Sequence, residues 1–412
     1  MEYLFEGKAK RNTFILMGVG ILLFIIGALA ASMGHHEGDG GHGGGVGQRL
    51  WVSIFVSGFF FFGVSLAALF FLAVQYAAEA GWAVVFKRIM EGVMAYLPVG
   101  ALTLVIVFLV GSLGGHHIYH WMDMNLYDVD HPDYDQLIAH KQPYLNQIFW
   151  WIRTIAYLAI YILFMRAFRK RSMEEDELGT ENEKGIFIKN QTLAAIFLVL
   201  FGYTSTTFSW DWIMSIDTHW FSTIFGWYIF SGMWISGMVM ITLITIYLKS
   251  KGHMEFVNDS HMHDIGKWVF GVSFLWTYLF FCQFMLYWYS NIPEEITYFK
   301  ARIDDYTWIF WGTMVVNFIF PMLLLMSKDA KRNAGFMVFV GCIIFFGHWM
   351  DVFMIVSPGA VGPDGTIGLV EIGSFIAFLG LFLFVVLGAI AKRPLLVKNH
   401  PYLEESLHHH IN

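Results

Sequence analysis

The chain reads as an all-α integral membrane protein of about ten transmembrane helices, and three observations carry that reading. Apolar blocks of about 20 residues, enough to cross a bilayer core, recur along the 412 residues. Hydrophobic residues make up 57% of the chain and charged residues 14%, too few to clothe a water-facing surface of this size. Lys and Arg alternate between rich and poor connections, as in a chain threaded back and forth through a membrane.

The blocks fall in order at Thr13–Met33, Leu50–Val74, Met90–Leu113, Asn146–Phe168, Thr192–Met214, Trp220–Leu248, Trp268–Tyr289, Tyr306–Met326, Gly335–Val356 and Ile367–Ala391. The first is long and lacks a small-residue cleavage site, so it is expected to remain as a helix rather than be removed as a signal peptide. No connection is long enough for a soluble domain, so residues 1–412 form one membrane domain. Within it, a first helix (1–33) and a last helix with its tail (367–412) flank two expected four-helix bundles. These are spans two to five (50–214) and spans six to nine (220–356), separated after the fourth span by the charged segment Ser172–Lys184.

Orientation follows from the basic residues, because cytoplasmic connections retain Lys and Arg. Lys8, Lys10 and Arg11 precede the first span, Lys87 and Arg88 the third, and six basic residues from Arg166 to Lys189 join the fourth to the fifth. Lys249, Lys251 and Lys267, then Lys328, Lys331 and Arg332, then Lys392, Arg393 and Lys398 continue the series on that side. The opposite connections hold only Arg49, Lys141, Lys300 and Arg302, so both termini are expected on the cytoplasmic side. Outside lie a Gly- and His-rich tract at 34–48 and an acidic loop from His116 to Pro143 with room for a short surface helix. His35, His36 and His42 are metal-ligand types, but a Gly-rich tract holds no fixed geometry, and no metal site is expected.

Several chemistries are excluded. The two cysteines, Cys282 and Cys342, both fall inside spans and support neither a disulfide framework nor an iron–sulfur cluster. There is no CxxCH for covalent haem and no P-loop, and a membrane domain of this composition has no nucleic-acid-binding face.

Ionisable groups at membrane depth, each costing roughly 2.5–3.5 kcal/mol to insert, carry most of the chemical information. His348 and Asp351 stand three residues apart in the ninth span, on one helix face, near its outer end. A His–carboxylate pair relays protons or binds a hydroxylated ring such as a quinol; the alternative is a structural hydrogen-bond pair. Arg153 in the fourth span and Asp211 in the fifth lie at similar depth and are expected to form a structural ion pair. Asp217 and His219 occupy the short outer turn beside Trp210, Trp212 and Trp220, near enough to join His348 and Asp351 in one polar cluster. Inward, the hydroxyls of Tyr203, Thr204, Ser205, Thr206 and Thr207 offer a water file and Glu91 an entry group; the alternatives are back-bonding to the helix and pairing with Arg88. A b-type haem needs two axial His on facing helices, and with only His348 clearly within a span and His219 at its rim that reading is disfavoured.

The stretch Trp210–Gly226, WDWIMSIDTHWFSTIFG, together with ten spans and the tail NHPYLEESLHHHIN, resembles the F-subunit family of bacterial alternative complex III. That complex is a respiratory quinol:electron-acceptor (cytochrome c) oxidoreductase. Its C and F membrane subunits are similar to the NrfD-like (polysulfide reductase membrane subunit) family. The resemblance implies a cofactor-free subunit without stand-alone catalysis, packed beside the homologous C subunit and lipids, with haems and iron–sulfur clusters in partner subunits. It implies a proton path and assembly surface here, with binding of a quinone such as menaquinone as the alternative. A secondary transporter and an inert scaffold remain the readings from other classes; single prolines at unequal positions, Pro98 and Pro321, argue against the transporter.

Overall fold

Helix is the only regular structure that satisfies every backbone group inside a segment, so apolar blocks of this length fold as helices. The computed structural model describes residues 3–34, 45–177, 183–363 and 365–410, and it holds helices and no strand among them. Ten are long and apolar enough to cross a membrane. They are α1 (Gly7–Gly34), α2 (Val46–Ala77), α3 (Trp82–Ser112), α4 (Gln147–Glu177), α5 (Glu183–Trp212), α6 (Phe225–Ser250), α7 (Asp259–Ser290), α8 (Thr307–Leu324), α9 (Ala334–Val361) and α10 (Leu369–Ile390). His35, His36 and His42 lie outside the described residues, as does the middle of the Ser172–Lys184 segment.

Most helices outrun their apolar blocks. Helix α4 continues through the basic and acidic turn after Phe168 to Glu177, and α7 starts at Asp259 rather than Trp268. Polar ends of this kind are stabilised by caps rather than hydropathy. At α7, the Asn258 side chain accepts from the Ser260 and His261 amides while His261 returns a bond to the Asn258 amide.

Helices α2 and α6 form the centre, with 89% and 78% of their most apolar stretches buried against 11% for α1. Helix α2 packs on α3, α5, α6, α9 and α10, and α6 also on α7. Phe60, Phe61, Phe345, Phe375 and Phe382 interlock where α2, α9 and α10 meet. Helix α1 docks almost wholly on α10, through glycines seven residues apart on each helix. A Cβ at Gly20 would sit 2.2 Å from the Ala377 amide, and one at Gly373 2.4 Å from that of Phe24, so this approach requires glycine. The outward faces of α1, α4, α7 and α8 carry large exposed apolar side chains such as Ile25, Ile152, Phe281 and Trp308, as lipid or partner contact requires.

The first and last described residues share one end, the proximal end: Tyr3 packs edge-on against His253, and the chain after α10 runs back under the same helix ends. There Lys87 bonds Glu175, and Arg88 bonds Glu91, Ser172 and Asp176. The tail covers this network. Lys398 N donates to Asp176, Ser406 bridges the Trp82 carbonyl and the Val85 amide, and His409 meets Asp264 at 2.6 Å.

His400 is buried in that tail between the rings of Tyr76, Phe187 and Tyr402. Burial, then the positive charge of Lys87, pushes its imidazole down to about 2. A free histidine titrates near about 6.5, so below that value the undocked tail binds a proton that the docked tail refuses. Docking is therefore expected to be complete above pH ~6.5 and to weaken by up to about 1.4 kcal/mol per unit as pH falls below it. Limited proteolysis of residues 395–410 at pH 8 and pH 5.5 checks this, with His400→Phe abolishing the difference. Equal cleavage of the native tail at both pH values would refute it.

Candidate functional site

Two polar spaces lie in series at the distal end, opposite the termini. The outer is an open cleft of about 700 Å3 lined by His117, His120, Asp123, Asp133, Asp135, Asp217, His219, Trp220, Tyr298 and Arg302. The acidic loop folds here into short helical turns. Asp135 caps Gln136–Lys141, accepting from the Leu137 and Ile138 amides at 2.9 and 3.1 Å, and meets His219 Nε2 at 2.6 Å. Partial burial opposes the charge, but the two amides and the imidazole outweigh it and hold Asp135 below the usual carboxylate range. Burial holds the His120 imidazole below its ordinary value. Among the described residues no three His, Cys, Asp or Glu side chains converge as metal ligands.

The inner space is a chamber of about 20 Å3, room for a single water, lined by Tyr228, Gln283, Tyr298, Arg302, Thr313 and Asp351 among apolar side chains. Asp351, on α9, is buried; its carboxylate accepts from Tyr228 Oη of α6 and, at 3.0 Å, from Trp276 Nε1 of α7. Both donors are neutral. Thr313 Oγ1 of α8 is buried without a partner among the described residues, which leaves it available to a water in the chamber. The chamber is far too small for a quinol ring.

Tyr298 and Arg302 line both spaces and form the wall between them. They belong to the helix Pro293–Asp304, which begins with Pro at its first position and Glu294 and Glu295 in its first turn. Arg302 is 2% exposed. Pro358 inside α9 has no N–H, so the carbonyl four residues earlier, Met354, is freed, and Arg302 Nε donates to it at 3.1 Å. Its other nitrogens donate to the Tyr298 and Ile355 carbonyls and to Asp217 Oδ2, each at 2.9 Å. The guanidinium lies 3.4 Å over the Tyr298 ring, itself stacked on Trp220 at 3.8 Å.

The sequence-derived residues are thus distributed rather than clustered. Asp217 and His219 face the outer cleft and Asp351 the inner chamber, with the Arg302–Tyr298 wall between. His348 shares a helix face with Asp351 but is not bonded to it: neither ring nitrogen has a partner among the described residues, and the Trp276 ring packs edge-on against it at 5.3 Å. A turn deeper, Asn317 sits in a π-helical turn of α8 (Val315–Ile319) ahead of Pro321, pressed on Gly347, and both its amide atoms are likewise unpartnered.

Arg153 and Asp211 meet in a two-pronged salt bridge, Nε to Oδ2 at 2.7 Å and Nη2 to Oδ1 at 2.8 Å. Tyr157 adds a bond to Asp211 at 2.9 Å, and the guanidinium lies between the Tyr144 and Phe149 rings. The hydroxyl file from Tyr203 to Thr207 is not assembled. Tyr203 is 72% exposed on the outward surface, and Thr204, Ser205, Thr206 and Thr207 bond back to carbonyls of α5, with Tyr161 donating to Thr204 at 2.8 Å. Glu91 is held by Arg88 at 2.6 Å within the proximal network.

Sequence reasoning missed Tyr228, Trp276, Tyr298 and above all Arg302, which with Lys300 reads as an ordinary basic residue of a connection. The Pro-Glu-Glu start at Pro293 and the Tyr298–Arg302 spacing of one helical turn were the available signal. Compared with known proteins, the chain matches no family model and no curated protein.

Proposed function

We propose that this chain is a multi-pass membrane subunit of a bacterial respiratory quinol:electron-acceptor oxidoreductase, of the alternative complex III kind. In this reading both termini face the cytoplasm, the chain carries no redox cofactor, and it provides a proton route between the outer side and a buried carboxylate. The basic bias of the proximal connections supports the orientation. The Trp210–Gly226 motif supports the family.

The observation that carries the proton route is Asp351: a carboxylate in the apolar core, beside a water-sized chamber, one wall away from a polar cleft. A titratable group so placed takes up a proton from one side and delivers it to the other, with Tyr228 and a chamber water as its immediate relays. His348, without a partner at either nitrogen among the described residues, lies a turn deeper on the same helix face and is the candidate for an inward continuation. The exposed apolar faces of α1, α4, α7 and α8 are the surfaces on which partner membrane subunits and lipids pack. A quinone ring has no room in the chamber beside Asp351, which supports quinol chemistry in a partner subunit rather than at this carboxylate.

Isolation of the tagged chain from its native membrane in mild detergent tests the assignment. The expected eluate contains a second polytopic subunit, haem absorbance, an iron–sulfur paramagnetic signal and quinol-oxidising activity. A monodisperse chain free of haem, iron and that activity would overturn it.

A further inference from the structure

The wall between the two spaces is built around one cation and two carboxylates. Asp217 stands on the cleft side with a quarter of its side chain accessible, and Asp351 on the chamber side, buried. Arg302 touches both spaces and is the only Lys or Arg lining either among the described residues. In this structure it is committed to Asp217, whereas Asp351 is held by two neutral donors. An arginine cannot lose its proton in this setting, so it blocks proton passage as long as it stays in place.

We propose that Arg302 is a two-position gate whose guanidinium is shared between Asp217 and Asp351, so that proton exchange between Asp351 and the outer cleft requires it to change partner. This rests on the proton-route reading above. The exchange starts with Asp351 protonated and Arg302 paired to the Asp217 carboxylate, and it balances: the proton passes from Asp351 to Asp217 while the guanidinium leaves Asp217 and pairs with the newly formed Asp351 carboxylate. One positive charge moves outward as another moves inward, and no buried charge is left alone at either end. Asp217 then releases its proton into the cleft, where His219, Asp135 and His120 are placed to accept it.

The anchoring of Arg302 suits such a move. Two of its bonds go to carbonyls of α9 one turn beyond Asp351, at the level where Pro358 interrupts the helix ladder. A short slide along that turn brings the guanidinium into the chamber it already lines. Tyr298, whose ring carries the guanidinium, provides a surface for the slide without competing charge. Tyr228 of α6, Gln283 of α7 and Thr313 of α8 complete the polar lining of the chamber, Trp276 of α7 donates to Asp351 beside it, and none brings a second charge.

The test follows the protonation of Asp351 directly, without turnover. Dicyclohexylcarbodiimide modifies protonated carboxyls in apolar sites, and the modified Asp351 peptide is quantified by mass spectrometry across pH in membranes holding the full-length chain in its assembly. Asp217→Asn removes the outer partner and leaves Arg302 to Asp351, so the midpoint of labelling is expected to move acidward by about 1–3 pH units, a loss of about 10- to 1,000-fold at fixed pH. Asp217→Glu restores the native profile. In an Arg302→Gln background, Asp217→Asn has no further effect. A native midpoint in Asp217→Asn overturns the gate, and so does the same shift in the absence of Arg302. Should Arg302→Gln fail to accumulate, the contrast between Asn and Glu at position 217 decides alone. Failure of the gate leaves the proton route standing; the route itself fails only if Asp351→Asn transports protons normally.

Discussion

Replacing Arg153 by Met is expected to destabilise the chain by about 3–5 kcal/mol, because it strands the Asp211 carboxylate, which is fully buried, with neutral tyrosine hydroxyls such as that of Tyr157 in place of a counter-ion. Asp211→Asn should be of similar size, since it leaves a guanidinium between two aromatic rings without its counter-ion. The double variant Arg153→Met/Asp211→Asn should lose clearly less than the sum, by about 0.5–3 kcal/mol, because neither charge remains to be solvated. The pair ties α4 to α5 where the Trp150 indole also bonds the Asp211 carbonyl, so its loss opens that corner first. Yield and denaturant midpoint of the four proteins in detergent measure the coupling. Strict additivity would show that the two charges act independently, contrary to the bond geometry.

That pair illustrates what the sequence makes visible. Arg153 and Asp211 are the sort of isolated charges that depth in an apolar block flags, and antiparallel neighbours place them level. The ten long apolar helices are equally visible, since a helix long enough to cross a bilayer leaves an apolar block that hydropathy reads directly. Helix ends are not: α4 and α7 extend through polar residues that cap and hydrogen-bond but carry no apolar signal. The spacing of His348 and Asp351 shows that they share a face, yet not that the Trp276 indole sits against both and takes the place of a direct bond. The hydroxyls after Gly202 satisfy themselves on their own helix, a choice decided by local rotamers. Arg302 escaped because a residue in a nominal loop becomes fully buried only when a short helix folds back over α9, a tertiary event.

The largest functional effect is expected at Asp351. Asp351→Asn keeps the shape and the acceptor for one of the two donors but removes the titratable group on which the proposed route depends, so on that proposal proton transfer through the chamber should slow by about 100-fold or more. The amide can still accept from Tyr228 or Trp276, so the packing of α6, α7 and α9 should survive. Asp351→Glu, which retains the titratable group but overfills a space of about 20 Å3, should fold less well and keep part of the transfer. This pattern, loss of transport with assembly intact in Asn and partial transport in Glu, separates a proton carrier from a structural hydrogen-bonding residue.

The most direct measurement reconstitutes the assembled complex with Asp351→Asn into sealed vesicles and records quinol oxidation and proton translocation together. A normally assembled complex whose translocated protons per quinol fall well below native, while residual oxidation continues or is slowed, is the predicted result. An assembled Asp351→Asn complex with native oxidation and native proton translocation would contradict the account and leave Asp351 a structural residue.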